Sequence, residues 1–148
     1  MRVLLVDEAI ELVKPHLQVH WEQTEVHKDD IDLAPDWEVY RSLGDRFFAV
    51  GCFDDITKYC IGYMTFFIAP HPHAKRNTFA TSDAFYVAPD FRKAGIGEKL
   101  IDFAEDELLK RGVDVIMVTM RAKRPFIPLL EKLGYNENEI VYSKFIGT

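Results

Sequence analysis

Apolar and polar positions along this chain switch between two periods, and the switches mark its elements. Residues 1–6 form a short apolar run that reads as a strand. Asp7 then stands where a helix cap would, ahead of Ile10, Leu12, Val13 and Leu17 at helical spacing. Pro15 inside that pattern predicts a kink or an early end, because proline has no N–H to give its turn. Residues 20–32 are polar and weakly periodic. Pro35 at a first helical position, followed by Trp37, Val39, Tyr40 and Leu43, predicts a second short helix closed by Gly44. Phe47–Phe53 and residues 59–68 read as strands joined by a polar turn at 54–58. The second of these is apolar throughout, as a central strand covered on both faces must be. Residues 69–77 read as a turn and 78–87 as the third strand of an antiparallel set, stopped by Pro89 and Asp90. A helical stripe follows in Ile96, Leu100, Ile101, Ala104, Leu108 and Leu109. Glu98, Lys99, Asp102, Glu105, Asp106 and Lys110 form its charged back, and Gly112 its stop.

Between the third strand and this helix lies Arg92-Lys93-Ala94-Gly95-Ile96-Gly97. The first amides of a helix have no intrahelical partner and sit at the positive end of its dipole. Glycines there let the backbone approach a phosphate, and Arg92 and Lys93 add positive charge. Alone, the hexapeptide reads as an ordinary strand-to-helix loop. Its flanks change that.

R-x-x-G-x-G after a strand ending V-x-P, opening an amphipathic helix, resembles the pyrophosphate loop of the GNAT superfamily of acyl-CoA-dependent N-acyltransferases. The resemblance continues through a strand at 113–120, a helix near 124–133, Leu133-Gly134-Tyr135 and a last strand, about two-thirds of the chain. D-W-E-x-Y at 36–40, P-H-P-H at 70–73 and the ending L-G-Y…Y-x-K resemble, more narrowly, the small GNAT proteins of tailed phages and prophages. The implied fold is α/β (α+β): a GNAT-like mixed, mostly antiparallel central sheet with helices on both faces, in one domain over residues 1–148. The implied cofactor is acetyl-CoA (coenzyme A). Its contacts would be Phe85, Tyr86 and Val87 on the strand, Arg92, Lys93, Ala94, Gly95, Ile96 and Gly97 in the loop, and Lys123 beyond it.

The rival cofactor classes lack their residues. A dinucleotide fingerprint needs a third glycine where Leu100 stands, and an acidic residue closing a strand that here reads Val118-Thr119-Met120-Arg121. No G-K-[ST] of a nucleotide P-loop is present. The element order, strand, two helices, three antiparallel strands, helix, strand, helix, strand, also departs from regular βαβ alternation.

Composition narrows the partners. With 148 residues and 48% apolar content, the chain is long and apolar enough to bury a core. A net charge of −6 and a pI near 5.3 argue against a general nucleic-acid or membrane binder. The apolar run at 3–6 is too short for a signal peptide or a span, and Cys52 and Cys60 lie in predicted strands without metal-ligand spacing. The expectation is therefore a cytoplasmic chain (host cytoplasm if phage-encoded) with reduced, unbridged thiols and no bound metal. His20 and His27 among the acids of 20–32 match no ligand motif, and a solvated segment is the simpler reading. A homodimer is a candidate assembly.

Acyl transfer from a thioester to an amine sets three requirements. The amine, with a free-lysine pKa of about 10.4, must lose a proton; an oxyanion needs donors; a thiolate must leave. The resemblance places a backbone donor near Val87. Asp83 is the candidate catalytic base: it precedes Val87 by four residues, on a strand face expected to be shared with Phe85 and Val87. Many family members carry Glu or Asp there. An unpaired carboxylate in an apolar strand would raise its own pKa, which suits a base. The competing reading is an Asp that caps a bulge or pairs with a basic neighbour. Trp37, Tyr40, His71 and His73 are the substrate-side candidates, although histidines in such a turn also suit an exposed loop.

Two departures from the family pattern matter. Leu130 stands where many members carry the Tyr that protonates the leaving thiolate, and Lys123 where an Asn often meets the pantetheine arm. Arg121, Lys123 and Arg124 form a basic cluster, suited to phosphates or equally to a solvated helix start. The expected function is an N-acetyltransferase acting by direct attack on a primary amine: protein lysine, protein N-terminus or small molecule, with a mild preference for cations from the acidic balance. The alternative is a catalytically weak or inactive GNAT fold that binds CoA, a host factor or a virion.

Overall fold

The computed structural model describes residues 1–122 and 125–147. They form two compact units, Met1–Lys14 with Asp36–Thr119 and Pro15–Pro35 with Met120–Thr148.

The first unit is a five-stranded sheet in the order β1-β2-β3-β4-β5: β1 (Arg2–Leu4), β2 (Phe47–Phe53), β3 (Cys60–His71), β4 (Ala74–Val87) and β5 (Val115–Met117). The first four pair antiparallel, and β5 lies parallel to β4. Strand alternation sorts the core into two layers. On one face Ala49, Tyr63, Ala84 and Tyr86 meet Ala9, Leu12 and Val13 of helix α1 (Val6–Thr24). On the other, Phe48, Val50, Met64 and Phe66 are buried, as are Leu100, Ile101, Ala104 and Leu108 of helix α3 (Ile96–Lys110). The expected helices on both faces are thus present.

Gly62 of β3 fixes how closely α3 approaches. A Cβ there would stand 3.1 Å from the Tyr86 carbonyl oxygen and 3.5–3.6 Å from Ile96 and Leu100 side-chain carbons. A carbonyl inside a sheet does not move aside. Gly62→Ala is therefore expected to destabilise by about 1–3 kcal/mol, the usual cost of overpacking, as a lower urea midpoint with an unchanged slope.

Several boundaries differ from the sequence expectation. Residues 69–77 are not a loop: β3 runs on to His71 and β4 starts at Ala74, leaving Pro72 and His73 as the turn. The helix α1 does not end at Pro15, though the division between the units falls there. Asp7 is not its cap. Glu8 Oε1 accepts from the Leu5 amide at 3.1 Å, the reciprocal half of a capping box, while Asp7 accepts from Arg41 Nε at 2.7 Å. Helix α2 (Trp37–Ser42) is capped by Asp36, whose carboxylate accepts from the amides of Glu38 and Val39, so Pro35 lies just outside it.

In the second unit, helix α4 (Ile127–Lys132) ends on the L-G-Y sequence for a definite reason. Gly134 sits at φ 87°, its N–H reaching Glu131 O and that of Tyr135 reaching Leu130 O, both at 3.0 Å. This is a Schellman ending, and glycine is the residue that takes the left-handed position freely. The expected final strand is absent: no strand is formed among the described residues 136–147. Ile140, Val141, Tyr142 and Ile146 have strand-forming side chains but are exposed, without a ladder partner to make them one.

Candidate active site

Strand β4 carries both halves of the candidate site. Its ladder with β5 comprises Phe79↔Val115, Ala80↔Ile116 and Thr81↔Met117. Side chains lock each end: Asp114 Oδ2 accepts from Thr78 N at 2.9 Å, and Ser82 Oγ accepts from Thr119 N at 2.8 Å. Thr119 Oγ1 also donates to Ser82 O at 3.1 Å. The β5 ladder ends at Thr81, whereas β4 continues to Val87.

Just past that point the β3–β4 register slips. Thr65 pairs with Ala84 but Phe66 with Ser82, so Asp83 is the extra residue of a β-bulge. A bulge breaks alternation. Phe85 and Val87 pair with Met64 and Gly62 on the α3 side, as β3 alternation requires, but Asp83 turns to the opposite face, towards Tyr40 and Thr65. The expected shared face is corrected on this ground. So is the expected burial, because Asp83 is exposed rather than sunk in apolar surroundings. Tyr40 Oη donates to its Oδ2 at 3.3 Å and Thr65 Oγ1 at 3.4 Å.

Tyr40, which reaches Asp83, belongs to a wall of rings. Tyr40 lies 5.7 Å from Trp37, 5.4 Å from Phe47 edge-on and 5.8 Å from Phe67, centroid to centroid. Lys14 Nζ stands 5.8 Å from the Trp37 ring, a cation–π contact. Burial, with the Asp83 charge and hydrogen bond behind it, pushes the Tyr40 phenol up to about 12. An acid whose pKa is higher folded than unfolded contributes stability below its unfolded value, near 10, and loses it as pH rises through the folded one. Tyr40→Phe is thus expected to shrink the stability loss between about pH 10 and pH 12, read by denaturant titrations across that range. In ultraviolet titration it should remove one late-ionising phenol. Tyr63, likewise raised by burial, supplies another.

His71 and His73 are not part of this cluster. The His71 ring lies 4.6 Å from that of Phe79, tilted by 38°, and accepts from the His73 amide through Nδ1 at 3.1 Å. Phe79 precedes Asp83 by four residues, about 13 Å of strand at ~3.3 Å per residue, so the pair lies outside hydrogen-bond reach of the carboxylate.

The loop end is a tight strand-to-helix turn. After Val87 the chain takes a 3-10 turn (Pro89–Phe91) and reaches Gly95 at φ 74°, the N-cap of α3. No side chain caps that end, and Gly95 O accepts from Lys99 N at 3.2 Å. The helix start thus carries amides at an electropositive terminus that no side chain of the N-cap residue satisfies. Arg92 Nε donates to Val87 O at 2.9 Å, tying the loop to the strand that bears Phe85, Tyr86 and Val87. Lys123 and Arg124 lie outside the described residues. Arg121 pairs with Glu25 at 3.3 Å within the second unit. There too, Leu130 is buried and offers no proton, and His27 meets Ser143 Oγ at 2.8 Å.

Sequence reasoning missed Thr65, Phe47 and Phe67. The signal for Thr65 was present: one hydroxyl in the otherwise apolar run of the central strand.

With this geometry in view, the comparisons with known proteins are coherent. A model of the acetyltransferase (GNAT) family matches residues 7–135. A stretch of 55 residues is 42% identical to the [ribosomal protein bS18]-alanine N-acetyltransferase of Escherichia coli K12, covering 36% of this chain and 37% of that enzyme. The chain thus spans little more than a third of that relative. An aminoglycoside acetyltransferase from an uncultured soil metagenomic sample superposes with a TM-score of 0.72 at 20% identity, over 99% of this chain and 97% of the other. A ribosomal-protein-alanine N-acetyltransferase from Brucella melitensis biovar Abortus 2308 gives 0.67 at 20% identity, over 98% of each chain. At those identities the superpositions speak for the fold, while the family match runs through most of the chain. The chain belongs to the acetyltransferase (GNAT) family.

Proposed function

We propose that the protein is an N-acetyltransferase that moves an acetyl group from acetyl-CoA to a primary amine by direct attack, with Asp83 as the general base. The observation that carries this reading is the bulge. It turns an exposed carboxylate to the aromatic face of β4, four residues before the strand runs into the glycine turn.

The residues present suit the cofactor. Gly95 puts no capping side chain on the α3 amides, and the stretch of β4 beyond Thr81 offers an edge for an extended amide-bearing arm. Arg92, Lys93, Ala94, Gly95, Ile96 and Gly97 would hold the pyrophosphate; Phe85, Tyr86 and Val87 would hold the arm. Lys123 remains a further candidate contact. When bound, acetyl-CoA supplies the acyl thioester. The wall of Trp37, Tyr40, Phe47 and Phe67 attracts the ammonium as it arrives and orients its carbon body, and Asp83 then takes its proton so that the neutral amine attacks the thioester and the thiolate leaves. The acceptor class is therefore a cationic amine, on a small molecule or a protein; the bS18-alanine and aminoglycoside enzymes among its likenesses illustrate both kinds.

One observation favours a second reading. Leu130 is 8% exposed and apolar where many family members place a proton donor, which suits a CoA-binding protein with little turnover. Release of free thiol from acetyl-CoA, measured against a panel of protein N-terminal peptides, polyamines and aminoglycosides, separates the two. Amine-dependent release supports the transferase. Bound cofactor with no release from any amine supports the binding protein.

A further inference from the structure

Thr65 is the buried polar side chain of β3 that faces the site, and packing alone does not account for it. It is 1% exposed, in the centre of the sheet, where valine would fill the same volume. Its hydroxyl is used in both directions. It accepts from the Ala84 amide at 3.0 Å and donates to Asp83 Oδ2 at 3.4 Å. One O–H donor with lone pairs to spare allows both bonds at once. The bond from Ala84 spans the bulge, so the side chain that holds the slipped register also holds the carboxylate the slip exposes. Tyr40 Oη donates to the same carboxylate oxygen at 3.3 Å, its ring packed among Trp37, Phe47 and Phe67.

We infer that Thr65 and Tyr40 are positioning residues for Asp83. They hold its carboxylate ionised and in place, Thr65 from β3 and Tyr40 from α2. Hydrogen bonds donated to a carboxylate favour its charged form. The side chains facing Asp83 from the packed elements include the phenols of Tyr40 on α2 and Tyr63 on β3, the latter stacked on Tyr86 of β4 at 5.3 Å. Removing either hydroxyl therefore deletes a hydrogen bond without deleting a charge.

The titration behaviour stands independently; only its effect on turnover rests on Asp83 being the base. The experiment follows the Asp83 carboxyl carbon by ¹³C NMR across pH, its resonance identified with Asp83→Asn, in the wild type, Thr65→Val, Thr65→Ser and Tyr40→Phe. Thr65→Val and Tyr40→Phe should each raise the Asp83 pKa by about 0.5–1 unit, a range set by hydrogen bonds to charged groups of modest strength. Thr65→Ser, which keeps the hydroxyl, should stay near wild type. In steady-state assays the acid limb of the kcat profile should move up in step, with a roughly 3–10-fold fall in kcat below the limb and unchanged acetyl-CoA affinity. An unmoved pKa in both Thr65→Val and Tyr40→Phe overturns the inference, as does a serine variant displaced as far as valine. Should Thr65→Val fail to fold, Tyr40→Phe, which removes one oxygen from a half-buried ring, decides alone. Full turnover in Asp83→Asn would remove the base reading while the titration still judged the positioning. Loss of turnover in Asp83→Asn, with wild-type titration in both hydroxyl variants, would remove the positioning and leave the base.

Discussion

Asp83→Asn should lower turnover by roughly 10² to 10⁴ at neutral pH, the usual worth of a general base, while acetyl-CoA binds as before. Asparagine keeps the size of the side chain and still accepts from Tyr40 and Thr65 through its carbonyl oxygen, so the bulge should survive. What is lost is proton acceptance. The deficit should narrow as pH climbs towards the amine's own pKa, because the nucleophile then forms without assistance. Steady-state kcat between about pH 6.5 and pH 10, beside calorimetric cofactor affinity, reads both parts. A variant with wild-type turnover at pH 7 would take the base away from Asp83. A uniform loss at all pH values would point to collapse of the bulge instead.

Gly95→Val should abolish the stabilisation that acetyl-CoA confers. At φ 74° this position is left-handed, which costs an L-residue about 1–2 kcal/mol and a β-branched one more. The effect comes through the backbone rather than collision, since nothing lies within 4 Å of where a Cβ would stand. To relieve the strain, the chain must re-aim the first amides of α3, the groups assigned to the pyrophosphate. The apo melting temperature should drop by about 3–6 °C for a chain of this size. The rise from saturating ligand, about 2.7 kcal/mol at a hundredfold excess over Kd, should vanish. Gly95→Asn, tolerated in the left-handed region, should keep part of it. A full ligand-induced shift in the valine variant would move the pyrophosphate elsewhere. No shift in the wild type would dismiss the cofactor.

How far the sequence foretold these features varied with the physics behind each. Helix α3 and its glycine stop were legible because one amphipathic stripe and one left-handed residue are local signals; Val113 N to Leu108 O at 3.1 Å closes it as the pattern implied. The glycine turn was legible for the same reason. The bulge was not. Whether Asp83 points up or down depends on a register slip between two strands, and neither strand records it alone. The long hairpin was hidden because Pro70, His71 and Lys75 are poor strand formers singly, and pairing such as Pro70↔Thr78 overrides them. The tail around Ile140–Ile146 erred in the other direction, with strand-like residues and no partner strand. Aromatic residues were expected on the substrate side at Trp37 and Tyr40. Phe47 and Phe67 join them only once β2 and β3 bring them to α2.

The two cysteines show what alternation implies for chemistry at sulfur. Both are free thiols on neighbouring strands. Cys52 pairs with Gly62 on the α3 side, while Cys60 packs with Phe53 in the layer beneath α1. Burial raises both pKa values, so neither is a ready nucleophile at neutral pH. The buried thiol is therefore a native alkylation probe for its side of the sheet, with the half-buried one as an internal reference. Cys52 is buried and Cys60 half-buried, so pulse labelling of Cys52 times the lifting of α3 while Cys60 supplies the rate of a partly accessible thiol in the same molecule. The ratio of the two rates reads the local opening of the α3 layer without a single engineered residue.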